Sequence, residues 1–160
     1  MDEKNKIASI HLDDETLSAA GPDAEHERRV AIFDLIENNY FKVEGVDPSG
    51  PYDVTLSLMD QKLVFAIRNP SAEEMKFIMS LMPFKRIIKD YFQICQSYHD
   101  AIRSSSPLRI EAIDMGRRSL HNEGSELLSQ RLEGKVVLDF DTSRRLFTLI
   151  CALHQKGGPV

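Results

Sequence analysis

Cysteine is scarce in this chain: among 160 residues only Cys95 and Cys151 carry thiols. Two thiols supply neither a disulfide framework nor a four-ligand zinc site. Both lie in apolar helical patterns, where free cysteine behaves as a small hydrophobe, so two buried, reduced thiols are expected. Long apolar runs are missing too, and a bilayer span needs about 20 such residues. The opening "MDEKNKIASIHLDDE" is acidic, with no apolar signal-peptide core. Positive charge is in deficit, 20 Lys and Arg against 25 Asp and Glu, for a net charge of −5. That balance argues against general attraction to nucleic acid or anionic membrane. A cytoplasmic protein with no nucleic-acid or membrane partner is expected. The chain also lacks a glycine-rich phosphate loop, a nucleophile elbow, a paired-histidine metal motif and a Cys-x-x-Cys pair. These absences point away from an enzyme and from any cofactor or metal.

What is present suits a single α+β domain over residues 1–160, with 1–6 and 156–160 as loose tails. "KIASIHL" reads as a short first strand, and "DDETLSAAGPD" as an exposed loop. The loop ends in Gly21-Pro22-Asp23, a helix start. "AEHERRVAIFDLIENNY" is then a helix whose apolar face collects Ile32, Phe33, Leu35, Ile36 and Tyr40. Four extended runs follow: "YFKVEGV", "PYDVTLSLMD", "KLVFAIRN" and "MKFIMSLM". Tyr52, Val54, Leu56 and Leu58 alternate with polar residues, and Leu63, Phe65 and Ile67 form the matching face. Asp47-Pro48-Ser49-Gly50 and Met59-Asp60-Gln61 are turn signals at hairpin spacing, so residues 40–81 read as an antiparallel β-meander. "SAEE" offers a rival helix start for the fourth run. The alternation of Met75, Phe77, Met79 and Leu81, with Pro83 just after, favours a strand.

Beyond Pro83 the pattern is helical. Phe84, Ile87, Tyr91, Ile94, Cys95, Tyr98 and Ile102 make one stripe, with Lys85, Lys89, Gln93, Gln96 and Asp100 opposite. Ser106-Pro107 starts the next helix and Gly134 ends it. "KVVLDF" is a short strand, and Asp141 is placed to cap the last helix, "TSRRLFTLICALHQ". Strands grouped together and helices grouped together give the class: α+β, an antiparallel meander packed against several helices.

Several segments resemble a known family: "DAEHERRVAIFDLIE", "KLVFAIRN", "PFKRIIKDYFQICQSYHDAIR", "IEAIDMGRRSLHNEGSELL" and "LEGKVVLDFDTSRRLFTLI". They are similar to the uncharacterised protein family 0262 of alphaproteobacteria, from about Asp23 to the last helix. The resemblance implies a small bacterial, cytosolic protein. It carries over no activity, cofactor or catalytic residue.

The stretch "EAIDMGRRSLHNEG" concentrates the polar chemistry. If residues 107–133 form one helix, Ile110, Ile113, Gly116, Leu120, Gly124, Leu127 and Leu128 make a continuous apolar or small stripe. Two helical glycines cost roughly 1 kcal/mol each against alanine, so close approach of a neighbour should justify them, Gly116 above all. Asp114, Arg117 and His121 project within about 60° of one another beside that stripe, while Arg118 and Asn122 point further out. Glu123 lies about 160° from His121, so these two cannot share a metal on an unbroken helix. The trio has the makings of an anion or acid–base site. It equally makes an internal ion-pair network, and that reading is preferred.

Four basic pairs, Arg28-Arg29, Lys85-Arg86, Arg117-Arg118 and Arg144-Arg145, are expected to scatter over solvated faces. Should they converge, Arg86, Arg144 and Arg145 are the candidate anion contacts. His154 reads as a packed, dipole-stabilised histidine near a helix end, and His26 and His99 sit at helix edges. The preferred function is non-enzymatic regulation or adaptation through binding another cytosolic protein, with homo-oligomerisation also open. The alternative is a small-anion or nucleotide-binding protein, or a hydrolase-type enzyme, built on Asp114, Arg117 and His121. A deep pocket holding the trio favours the alternative; a trio sealed by packing favours the adaptor.

Overall fold

The structure is a computed structural model, and it describes residues 4–13, 22–45 and 50–154. Strand β1 (Ile7–Leu12) precedes helix α1 (Pro22–Glu37) and strand β2 (Phe41–Val43). Strands β3 (Tyr52–Met59), β4 (Lys62–Arg68) and β5 (Glu74–Ser80) follow. A single 3₁₀ turn leads into α2 (Lys85–Ser104) and α3 (Pro107–Leu132), and the described chain closes with β6 (Val136–Leu138) and α4 (Phe140–His154). The class is α+β, as expected. Most of the expected exposed loop, most of the Asp47-to-Gly50 turn, residues 1–3 of the expected first tail and all of 156–160 lie outside the described residues.

The meander β3–β4–β5 forms as its alternation requires, antiparallel throughout. Tyr52, Val54, Leu56, Leu63, Phe65 and Ile67 turn inward and are buried. Asp60, at φ 58°, sits in the two-residue connection between paired Met59 and Lys62. Aspartate tolerates that left-handed region better than most residues with a Cβ. The "SAEE" helix start does not form: Asn69 Oδ1 accepts from the amides of Ser71 and Glu73 at 3.0 and 3.1 Å, holding a tight turn. β5 follows as a strand.

Two strands depart from expectation. β2 does not extend the meander; it pairs antiparallel with β6, Phe41 opposite Leu138 and Val43 opposite Val136. Its own polar groups explain the diversion. Phe41 N donates to Asn5 O at 2.9 Å, Val43 N donates to the Tyr52 hydroxyl at 3.1 Å, and the Phe41 ring packs edge-on against Tyr52. The meander's free edge at β3 is taken instead by β1, in parallel, giving the order β1-β3-β4-β5. Parallel neighbours need a crossover, and the connection containing α1 and β2 provides it.

α1 buries the expected face only in part, and adds residues that apolar counting passed over. Ala24, Arg28, Ala31 and Leu35 are buried, with Ile32 and Ile36 beside them, whereas Phe33 is 65% exposed. The two alanines bring α1 close to α4, and the Arg28 guanidinium reaches the carbonyls of Ala152 and Leu153 at its C-terminal end. Apolar counting along α1 could not register an arginine as a core residue.

α4 is the central helix, buried almost all round from Thr142 to Leu153. Its N-cap is Asp139, not Asp141: Asp139 Oδ1 accepts from Thr142 N at 2.8 Å. α3 runs unbroken for 26 residues, about 39 Å at 1.5 Å per residue. Ser106 caps its start by accepting from Arg109 N, and Gly134, at φ 84°, turns the chain after its end. Small residues set how closely α3 and α4 approach. Gly124, Ser125 and Ser143 are all buried, and Ser143 Oγ donates to Ser125 O at 2.6 Å. This contact brings the polar stretch of α3 beside the arginines of α4.

Candidate functional site

Because α3 passes straight through "HNEG", His121 turns inward while Glu123 stays exposed. Two turns earlier, the Asp114 carboxylate holds two guanidiniums. Its Oδ1 accepts from Arg117 Nε at 3.1 Å and from Arg117 Nη2, and its Oδ2 lies 3.0 Å from Arg118 Nη2. Arg117 is fixed on its other side by the Tyr98 ring of α2, whose centroid is 4.3 Å from the guanidinium carbon. Such cation–π stacking further restricts the side chain.

His121 does not join this pair. Its ring sits between Tyr91 of α2 and Phe147 of α4, with centroids 5.4 and 5.1 Å away. His121 Nε2 lies 2.8 Å from Thr148 Oγ1, and Thr148 in turn lies 3.0 Å from Arg144 O. A carbonyl only accepts, so the threonine proton points to Arg144 and Nε2 must donate. Nδ1 is then the bare nitrogen, buried without a partner among the described residues. Burial, followed by the charges of Arg144 and Arg117, pushes the imidazole pKa down to about 4. The ring is therefore neutral at pH 7.

The same polar layer contains groups that sequence reasoning had assigned only to packing. Burial and the adjoining Cys95 raise the pKa of the Tyr91 hydroxyl. Burial likewise raises the Cys95 and Cys151 thiols, and both cysteines are free. Tyr91, Tyr98 and Cys95 were legible as an α2 stripe, and Phe147 as an apolar residue of α4. Their convergence on Arg117 and His121 depends on the packing of three helices. Thr148, which orients His121, carried only the signal of lying one turn beyond Arg144.

The basic pairs divide. Arg28 is internal, and Arg29 faces Glu25 at 3.9 Å on the surface. Lys85 is exposed, and Arg86 pairs loosely with Asp90 while 92% exposed, away from the polar layer. The expected scatter fails for the other two pairs. Arg117, Arg118 and Arg144 line one cleft of about 300 Å³ with Tyr91, His121 and Thr148. Arg144 and Arg145 line an adjoining cleft of about 220 Å³ with His121, Asp141 and Thr148. Arg145 is committed elsewhere, donating to Asn38 O at 2.9 Å. The Arg144 guanidinium makes no hydrogen bond or ion pair among the described residues. The first cleft lies at the lower end of usual ligand pockets, roughly 300–1,000 Å³, and the second falls below it.

Comparison with known sequences agrees with this frame. Residues 4–156 match the uncharacterised protein family UPF0262. The chain belongs to that family. It is 63% identical over 155 residues to a UPF0262 protein of Hyphomonas neptunium, covering 96% of this chain and 95% of the relative. A relative in Caulobacter vibrioides is 59% identical over 154 residues, covering 96% and 95%. One in Brucella anthropi is 57% identical over 153 residues, covering 95% of each. The bacterial family resemblance read from the motifs thus holds across nearly the whole chain. No solved structure matches. Among the described residues, no helix is long and apolar enough to cross a membrane.

Proposed function

We propose that this protein acts without chemistry of its own, as an adaptor or regulator that binds another protein through the outer face of α3. The observation that carries this reading is a line of exposed apolar and small side chains. Leu108 is 80% exposed and Met115 is 65% exposed. Seven residues apart on a helix, they lie on one line, with exposed Ala112 between them and exposed Ser119 one turn beyond. Large apolar side chains aligned on a helix suit the apolar face of a partner's amphipathic helix.

The polar trio supports the same reading. Asp114 is occupied by two arginines, Arg117 is stacked on Tyr98, and His121 is neutral and donates inward to Thr148. The functional atoms of Asp114 and His121 thus meet neighbouring side chains rather than an approaching substrate.

The test compares tagged wild type with the double variant Leu108→Asp and Met115→Asp by cross-linking and capture from the native cytosol. Thermal melts confirm that both are folded. A protein captured by wild type and lost with the variant supports the reading. Capture of the same proteins by both forms, or of none by wild type, sinks it.

A further inference from the structure

The arginines that converge beside His121 leave an unbalanced charge. The cleft of about 300 Å³ is lined by three arginines from two helices together with Tyr91, His121 and Thr148. Among the described residues, the one carboxylate bonded to any of the three is Asp114, which pairs with both Arg117 and Arg118 and lies outside the lining. Three cations against one anion leave a surplus of two positive charges in a chain whose net charge is −5. Like charges gather at a cost, and a bound anion removes it.

We infer that this cleft is a binding site for a phosphate group, held by Arg144, Arg118 and Arg117. Each guanidinium presents up to five N–H donors in a planar fork suited to tetrahedral oxyanions. The Arg144 guanidinium has all of its donors free among the described residues. Arg118 is 72% exposed and gives one terminal nitrogen to Asp114, leaving the rest of its fork available. Arg117 is held by Asp114 and Tyr98 before any ligand arrives, so less conformational entropy is lost on binding. The adjoining cleft is the poorer choice, because Asp141 lines it and Arg145 already serves Asn38. His121 is not an anion ligand: its N–H points to Thr148. It is a neighbour that feels the charge. The inference does not depend on the α3 partner surface, whose exposed line is formed by other residues.

The experiment is an NMR titration of the full chain at low ionic strength, following the Arg144 Nε–Hε signal and the His121 ring. The probes are inorganic phosphate, O-phosphoserine and adenosine monophosphate, with sodium chloride at matched ionic strength as the control. Saturable shifts at both groups are expected, with the His121 pKa rising toward its ordinary value as the anion offsets Arg144 and Arg117. Arg144→Gln and Arg118→Gln should each weaken binding on the order of tenfold, and Arg86→Gln should leave it unchanged. Tighter binding of inorganic phosphate than of the two esters assigns the site to the free ion. Equal or tighter ester binding assigns it to an attached phosphate. Shifts that chloride reproduces, that never saturate, or that persist unchanged in the two arginine variants would overturn the inference.

Discussion

The ring of Phe147 occupies the space that a side chain at Gly124 would need. A Cβ built on Gly124 collides with three ring carbons of Phe147, whose side chain is fully buried in the core. At Gly116, by contrast, a Cβ meets only the end of the Ile94 side chain, at 2.8 Å. The closest approach to α3 is therefore at Gly124, not at Gly116, the glycine favoured from sequence.

Gly124→Ala should destabilise the protein by about 1–3 kcal/mol, overpacking against a ring that cannot move away. Gly116→Ala gains up to about 1 kcal/mol of helix propensity. Ile94 can yield by rotating its terminus, so a change within about 1 kcal/mol of zero is expected. Urea denaturation of both variants checks the contrast. Equal effects would show that α3 and α4 are further apart than described.

Asp114→Ala should cost on the order of 1–2 kcal/mol. The side chain is 18% exposed, and its loss removes the acceptor for Arg117, itself 33% exposed. Arg118→Ala should change stability by less than about 0.5 kcal/mol, because its 72% exposed pair is largely screened. Denaturant midpoints measured at low and high salt separate the two. An Asp114→Ala variant as stable as wild type would mean that the network contributes nothing to the fold.

Arg28 and Arg29 are sequence neighbours with opposite prospects. Arg28 Nη2 donates to Leu153 O at 3.1 Å in the core, at the negative end of the α4 dipole. Arg28→Leu should cost about 2 kcal/mol or more, leaving buried carbonyls without their donor. Arg29→Leu should cost under about 0.5 kcal/mol. Thermal melts of the two variants give the comparison, and similar melting temperatures would contradict it.

Stability should fall with acid through His121. The folded ring resists protonation down to about pH 4, whereas the unfolded imidazole takes its proton near 6.5. Below 6.5 the unfolded state binds more protons, so the contribution is complete above that pH and is lost progressively as pH falls to about 4. Partial exposure of the ring reduces the full linkage value to on the order of 1–2 kcal/mol. Wild-type stability minus that of His121→Gln, measured from pH 7.5 to 4, should shrink across this window. A difference independent of pH would show that the folded ring titrates normally.

The amino-acid order by itself settled whatever has a local period or a local stop signal. Alternation placed β3, β4 and β5 and their inward faces. The apolar and small stripe of α3 predicted one unbroken helix through "HNEG", and with it the separation of His121 from Glu123. Spacing alone also set Asp114 one turn from Arg117 and Arg118. Only the tertiary structure decided the long-range pairings, because these depend on where polar groups find partners far along the chain. Asn5 and Tyr52 draw β2 out of the meander toward β6, and β1 takes a parallel place that no periodicity signals. The buried small residues Gly124, Ser125 and Ser143 let α3 lie close to α4. That approach turned His121 from Asp114 toward Thr148, and it brought Arg144 to Arg117 and Arg118. A helical wheel sees one helix at a time, whereas this cleft is made by three.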